Sequence, residues 1–199
     1  MPMPYTYRHA SAEYAAFLAD ARAALNLESD NSTYTAADGS TATLAATQFE
    51  APHARRAFPC FDEPDMKATF AISLVVDPAH LAVSNSTETG REPLVDGRVR
   101  VDFADTMVMS TYLVAWVVGP LEATEPTVVG TTPVRIVHQP GQAHLTPFAL
   151  EAAEHALGYF EDYYGSAYPG DKLDLVALPD FAFGAMENLG CVTFRETAL

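Results

Sequence analysis

The sequence predicts a mainly β protein that passes, near residue 131, into an α+β segment. Three observations carry that prediction. Residues 67 to 76 and 97 to 103 alternate apolar and polar side chains, residues 111 to 118 are almost continuously apolar, and beyond residue 132 a helical period enters between strand-like runs. Alternation marks a strand with one face in a core, and a continuous apolar run marks a strand covered on both faces. An antiparallel, sandwich-like β domain is therefore expected over residues 1–131 and a strand-helix-strand opening of a second domain over 132–199.

Residues 11 to 26 are alanine-rich, and Tyr14, Phe17, Leu18, Ala21 and Leu25 recur at helical spacing after Ser11, a residue suited to an N-cap. They predict a short amphipathic helix, so that residues 1–31 form an atypical, helical lead-in to the β domain. Thr33 to Ala37 and Thr41 to Phe49 flank Asp38-Gly39, a dipeptide that accepts the positive φ angles of a tight hairpin turn. The second strand of that hairpin delivers Gln48 and Glu50 on one face and Phe49 on the other. In the basic-aromatic stretch His53 to Pro64, Arg55 and Arg56 lie near Asp62 and Glu63, and internal ion pairs are expected to brace the loop.

Phe70, Ile72, Leu74 and Val76, then Val99, Val101 and Phe103, form the buried faces of half-covered strands. Thr111 to Val118 reads as one fully covered strand, closing at Gly119-Pro120, and Glu122 to Thr132 as a linker. After a strand at Val134 to Val137, Thr146 as cap and Pro147 at the first helical position open a helix. Its stripe is Leu150, Ala153, Leu157, Phe160 and Tyr164, and Gly165 ends it. Leu173 to Leu178 is the next strand. Eight acids between residues 143 and 190 face a single base, Lys172, and most are expected to be solvated.

A chain of 199 residues, 49% hydrophobic, is long enough to bury a sizeable core. Its 26 acidic and 11 basic residues leave a net charge of −15, which argues against nucleic acid and anionic membranes as partners and is compatible with cationic ligands. No apolar run reaches the length of a membrane span and no signal peptide is readable, so a cytoplasmic protein with reduced Cys60 and Cys191 is expected. Asn31-Ser32-Thr33 and Asn85-Ser86-Thr87 match the glycosylation acceptor pattern and are read as turn residues.

One stretch stands apart chemically. In Phe183-Gly184-Ala185-Met186-Glu187-Asn188-Leu189-Gly190 a carboxylate sits among small and apolar residues, where its burial is costly unless a cation meets it. Gly184 and Ala185 leave a backbone that another chain approaches closely. An extended peptide with a positive end satisfies both features; a strand ending in a tight turn with a solvated glutamate is the plain alternative.

Gly184-Ala185-Met186-Glu187-Asn188 resembles the G-A-M-E-N exopeptidase motif of the M1 family of zinc aminopeptidases, which are aminopeptidase N-like and of the gluzincin type. A second block, Thr47 to Ala51 running through Ala54 to Pro64 and on to Lys67-Ala68-Thr69-Phe70, is similar to the family's other signature. The resemblance covers residues 32 to 199. It implies part of an N-terminal β domain followed by the start of a thermolysin-like catalytic domain, truncated before the zinc helix. It further implies that Glu50 and Glu187 hold a substrate's α-ammonium, which, with a pKa of about 7.7 to 8, is largely charged at neutral pH. Gln48, Phe183 and Met186 would wall the pocket, Gly184 and Ala185 would pair with substrate backbone, and Asn188 completes the motif. If the site is buried, a blocked N-terminus would cost roughly 3 to 5 kcal/mol. Leu189 stands where the family commonly has tryptophan.

Peptides with a free N-terminus are the implied substrates, and zinc is the implied cofactor of the complete enzyme. The chain itself has no H-E-x-x-H, and none of its six histidines lies four residues from another. Alone, it is expected to hold no catalytic zinc and to depend on the missing C-terminal catalytic region. Two readings follow: the amine-binding part of a zinc aminopeptidase, or a non-catalytic peptide-binding or scaffolding module, an inactive fragment included.

Overall fold

The computed structural model describes residues 5–7, 31–36, 39–179 and 181–199. The helix expected over residues 11 to 26 with its Ser11 cap, and Asp38 of the hairpin turn, lie outside them. Strand β1 (Tyr5–Tyr7) is followed by the hairpin of β2 (Asn31–Thr35) and β3 (Thr41–Ala46), paired antiparallel from Asn31 opposite Ala45 to Thr35 opposite Thr41. At its turn Gly39 takes φ 83° and donates its N–H to the Ala36 carbonyl at 2.9 Å, the left-handed conformation for which glycine was expected there.

The β region continues with β4 (Ala68–Phe70), β5 (Ser73–Val76), β6 (Leu81–Ser84), β7 (Glu88–Pro93), β8 (Val99–Phe103) and β9 (Trp116–Gly119). After it come β10 (Glu122–Ala123), β11 (Thr127–Val129), β12 (Thr132–His138), helix α1 (Thr146–Tyr164), β13 (Leu173–Leu178), β14 (Ala185–Met186) and β15 (Cys191–Arg195). Among the described residues the strands form three sheets of three or more strands and one two-stranded pair. One has the order β5-β8-β7, the second β2-β3-β9-β6, and the third β10-β12-β13-β15-β14 with β11 also on β12; β1 pairs separately with β4. The first two are antiparallel, whereas β12, β13 and β15 run parallel, with α1 as the crossover between the first two of them.

Side-chain alternation stacks these sheets into layers. On β9, Trp116 and Val118 join the core of Phe70, Ile72, Leu74, Val76, Val101 and Phe103 under the three-stranded sheet. Ala115 and Val117 point the other way, to Val137, Val176, Leu178 and Cys191 of the third sheet. The four-stranded sheet is thus the middle layer, which explains the apolar character of residues 114–118 on both faces. On the far side of the third sheet, Leu150, Ala153 and Leu157 of α1 cover Val134, Leu173, Leu175 and Val192.

Several elements differ from the sequence reading, the strand expected over residues 67 to 76 being divided into β4 and β5 among them. Residues 111–113 form a 3-10 turn instead of strand, because the side chain of Asn85 occupies the backbone there: its Nδ2 donates to the Leu113 carbonyl at 2.7 Å and its Oδ1 accepts the Ala115 N–H at 2.8 Å. The stretch read as a linker carries β10 and β11, both antiparallel to β12. Thr146 does not cap forward; its hydroxyl donates back to the Ala143 carbonyl at 2.9 Å, closing a 3-10 turn that leads into α1. The apolar stripe of α1 is only half covered: Phe160 and Tyr164 are exposed and border an open groove of about 540 Å3 with Tyr168 and Pro169. Gly165, at φ 61°, ends the helix as expected.

The loop between β3 and β4 is braced by a buried carboxylate. Asp62 accepts the Arg55 N–H at 3.0 Å, the Arg55 Nε at 3.1 Å and the Thr111 hydroxyl at 2.8 Å, the internal ion pair expected of this stretch. Burial pushes its carboxyl upward, but the hydrogen bonds from Arg55 and Thr111 and the guanidinium charge outweigh burial and hold its pKa below the usual value. A carboxyl depressed in the folded state contributes stability that is fully present above its unfolded pKa of about 3.9 and is lost as pH falls through the native value. Asp62→Asn is therefore expected to flatten the decline of stability below about pH 4. Denaturant midpoints measured down the acid range check this; equal slopes for both proteins would remove Asp62 from the acid transition.

Candidate functional site

The Phe183–Gly190 stretch is built onto β15. Leaving β13, the chain loops through Phe181 and Ala182, whose carbonyls accept the Arg195 Nε and a second guanidinium nitrogen, each at 2.9 Å. The Arg195 N–H donates to the Gly184 carbonyl at 3.1 Å, and β14 then pairs antiparallel with β15, Ala185 opposite Phe194 and Met186 opposite Thr193. This makes β14 the outermost strand of its sheet. Its other backbone edge pairs with no described strand, and Gly184 and Ala185 are exposed along it.

Alternation through the motif separates anchors from presented groups. Met186 and Asn188 are buried at 1% exposure each, the latter with Nδ2 3.5 Å from the Thr193 hydroxyl, while Glu187 between them is exposed. The costly burial anticipated for Glu187 is absent in this chain, because nothing described covers the outer side of the edge strand. The figure for a desolvated pair accordingly does not apply to it here. Phe183 is exposed too, set edge-on against Phe181 with ring centroids 6.2 Å apart.

The first block takes a related form. Strand β3 ends at Ala46, so residues 47–50 are placed by side chains instead of by strand alternation. Thr47 Oγ1 accepts the Trp116 N–H at 3.0 Å; Phe49 is buried edge-on against Phe58 and Trp116; Gln48 Oε1 accepts the Glu50 N–H at 3.0 Å. That leaves Gln48 Nε2 buried with no acceptor among the described residues and the Glu50 carboxylate exposed. Neither Glu50 nor Glu187 forms an ion pair among the described residues. Leu189 of the motif is half-buried against the same large core cluster of which Phe49, Ala54 and Ala57 of the first block are members.

Beneath the motif lies a buried polar network that periodicity did not announce. Asp174, 1% exposed, accepts Arg135 at 2.5 and 3.0 Å and Lys172 Nζ at 2.8 Å. Lys172 Nζ also donates to the carbonyls of Ser84 and Gly190, each at 2.6 Å. Gly190 donates its N–H to the Tyr168 hydroxyl at 2.9 Å, and Asn85 Nδ2 donates to the Leu189 carbonyl at 2.8 Å. The sequence signals were slight: a single base among eight acids, and one aspartate inside an apolar strand. Asn85, the acceptor residue of the Asn85-Ser86-Thr87 glycosylation pattern, is 4% exposed with its amide nitrogen bonded to two carbonyls, so the folded chain offers no acceptor there.

Among the described residues no three His, Cys, Asp or Glu side chains gather closely enough to hold a metal ion. Both thiols are protonated at neutral pH, burial pushing Cys191 up to about 12 and, with Asp62 nearby, Cys60 up to about 11. The described donor set does not fit a catalytic zinc.

Comparison with known proteins places the chain. Residues 8–113 match the family model for the peptidase M1 N-terminal domain, and residues 148–199 match that for the peptidase family M1 domain. Endoplasmic reticulum aminopeptidase 1 of Rattus norvegicus is 43% identical over 168 residues and endoplasmic reticulum aminopeptidase 2 of Bos taurus 45% over 168, each match covering 84% of this chain. Aminopeptidase M1-B of Oryza sativa subsp. japonica is 47% identical over 164 residues, 81% of this chain. The chain spans 18% of the length of each of these curated relatives. With both family domains matched in order over a mainly β fold that turns α+β, the chain belongs to the M1 peptidase family.

Proposed function

We propose that this chain forms the substrate-amine side of a zinc-dependent aminopeptidase active site. The observation that carries the reading is the backbone edge of β14, paired with no described strand, and one residue beyond it the exposed Glu187 carboxylate, which forms no ion pair among the described residues. An extended peptide adds to such an edge as a further strand, its backbone held by main-chain hydrogen bonds. Its α-ammonium then falls to Glu187 and Glu50, and Gln48, whose Oε1 accepts the Glu50 N–H, walls the pocket beside them. Met186 and Asn188 anchor the strand from below, and Phe183 borders the first-residue pocket.

Zinc, when bound by a complete family enzyme, polarises the scissile carbonyl and activates the attacking water. This chain's contribution is recognition and orientation, and the remainder of the family's catalytic region is its partner. A cytoplasmic setting belongs to the same proposal, supported by two free thiols with no disulfide between them among the described residues.

The test is a titration of the isotope-labelled chain with trialanine amide and with its N-acetylated form. Because Glu187 and Glu50 are exposed here, each carboxylate is expected to favour the free amine by about twofold to fivefold, as screened ion pairs of about 0.4–1 kcal/mol do, and less at high salt. Glu187→Gln and Glu50→Gln should each reduce that preference, and the double variant should abolish it. In a complete enzyme carrying this segment the same variants should raise KM. Equal binding of both peptides by the unaltered chain would overturn the amine site.

A further inference from the structure

The geometry points to Lys172, acting with Asn85 and Tyr168, as a positioning clamp that locks the Glu187-bearing loop onto the end of β6. This rests on the amine-site reading and extends it to residues that touch no substrate. The three side chains come from separate elements: Asn85 follows β6 in the middle sheet, Tyr168 lies in the α1–β13 connection, and Lys172 directly precedes β13. All three converge on two residues of the motif's turn. Asn85 holds the Leu189 carbonyl at 2.8 Å, Tyr168 accepts the Gly190 N–H at 2.9 Å, and Lys172 takes the Gly190 carbonyl at 2.6 Å.

Lys172 is 6% exposed, and its three ammonium donors meet three acceptors: the Ser84 carbonyl, the Gly190 carbonyl and the Asp174 carboxylate. An apolar side chain would fill the same space without the cost of burying a charge. What the ammonium adds is direction, because it ties a carbonyl of the middle sheet to a carbonyl of the motif through one atom. The contact is as close as backbones allow. A Cβ on Gly190, whose φ is +72°, would stand 1.9 Å from the Asn85 carbonyl oxygen.

From Gly190 the constraint passes back to the carboxylate in two steps. The Cys191 N–H donates to the Asn188 carbonyl at 3.0 Å, closing the turn that contains Leu189 and Gly190, and Asn188 is the buried neighbour of Glu187. Fixing Gly190 against Asn85 therefore fixes where Glu187 leaves the sheet, and in relation to the sheet that also carries Gln48 and Glu50 beyond β3. A loosened clamp leaves both carboxylates in place chemically but no longer aimed at one ammonium.

The experiment compares the unaltered chain with Lys172→Met and with Tyr168→Phe, the second of which removes a single hydroxyl and keeps the ring. Amide hydrogen exchange is read at Gly190 and Cys191, with Val117 and Val101 as core references, alongside the preference for trialanine amide over its N-acetylated form. At least tenfold faster exchange at Gly190 and Cys191 with the references unchanged, together with a free-amine preference falling toward one, is the expected result in both variants. Unchanged local exchange would overturn the clamp, and faster exchange with an unaltered preference would reduce it to a structural tie, overturning the positioning role. If the unaltered chain shows no preference, the amine-site reading falls, and the exchange rates still decide whether Lys172 and Tyr168 lock the loop.

Discussion

Purified and dialysed, the chain is expected to retain no stoichiometric zinc and to release no chromophore from leucine p-nitroanilide, against turnover of about 1–1000 per second common among enzymes. A zincin requires two histidines one helical turn apart with a third ligand downstream, and here no two of the six histidines are four apart. Among the described residues, no group of three or more metal-binding side chains replaces that set. A peptide seated on β14 would lack both the Lewis acid for its carbonyl and the metal-bound water. Metal analysis after gel filtration and an anilide assay with added zinc check this. One zinc per chain with chelator-sensitive turnover would overturn it and would also exclude the non-catalytic alternative.

Asp174→Ala is expected to destabilise the fold by about 3–5 kcal/mol, the cost of removing one partner from a buried ion pair. Asp174 is the only carboxylate within ion-pair range of Arg135 or Lys172 among the described residues, and its loss leaves two cations at the boundary between sheets. Thermal unfolding should fall by about 6 °C or more. Glu92→Ala serves as the control, because its 3.8 Å pair with Arg100 is solvent-exposed and its loss should leave the midpoint nearly unchanged. If the two variants unfold alike, the network contributes no more than a surface pair.

Alternation made the sandwich legible wherever one strand face meets a core: Phe70, Ile72, Leu74 and Val76, and Val99, Val101 and Phe103, are all buried. Strand β7 escaped because Glu88–Pro93 is an edge whose side chains are nearly all exposed, so it carries no apolar period. Strand β6 escaped for a different reason. Four residues sandwiched between two cores, Leu81–Ser84, are too short a run to distinguish from other apolar segments. For the site, Gly184 to Asn188 were legible as a motif, but the exposure of Glu187 depends on what covers a sheet edge, which no local pattern encodes. Lys172 was visible only as an odd base, since its partners Ser84 and Gly190 lie 88 and 18 residues away.

The position of the middle sheet has a consequence for the order of folding during synthesis. Its four strands, β2, β3, β9 and β6, are complete once residue 119 has emerged, yet half of its apolar surface faces Val137, Val176, Leu178 and Cys191, which follow later. Until β12, β13 and β15 have emerged in turn, Val83, Ala115 and Val117 lack the cover those strands give them, and until Lys172 emerges the Ser84 carbonyl lacks its ammonium partner. At about 5–20 residues per second the 72 positions from 119 to 191 take roughly 4–14 seconds to appear. The parallel pairing of β12, β13 and β15 adds non-local closure to that delay. The nascent chain therefore passes through a half-sandwich that chaperones can recognise, and arrival of the Gly190 turn closes it.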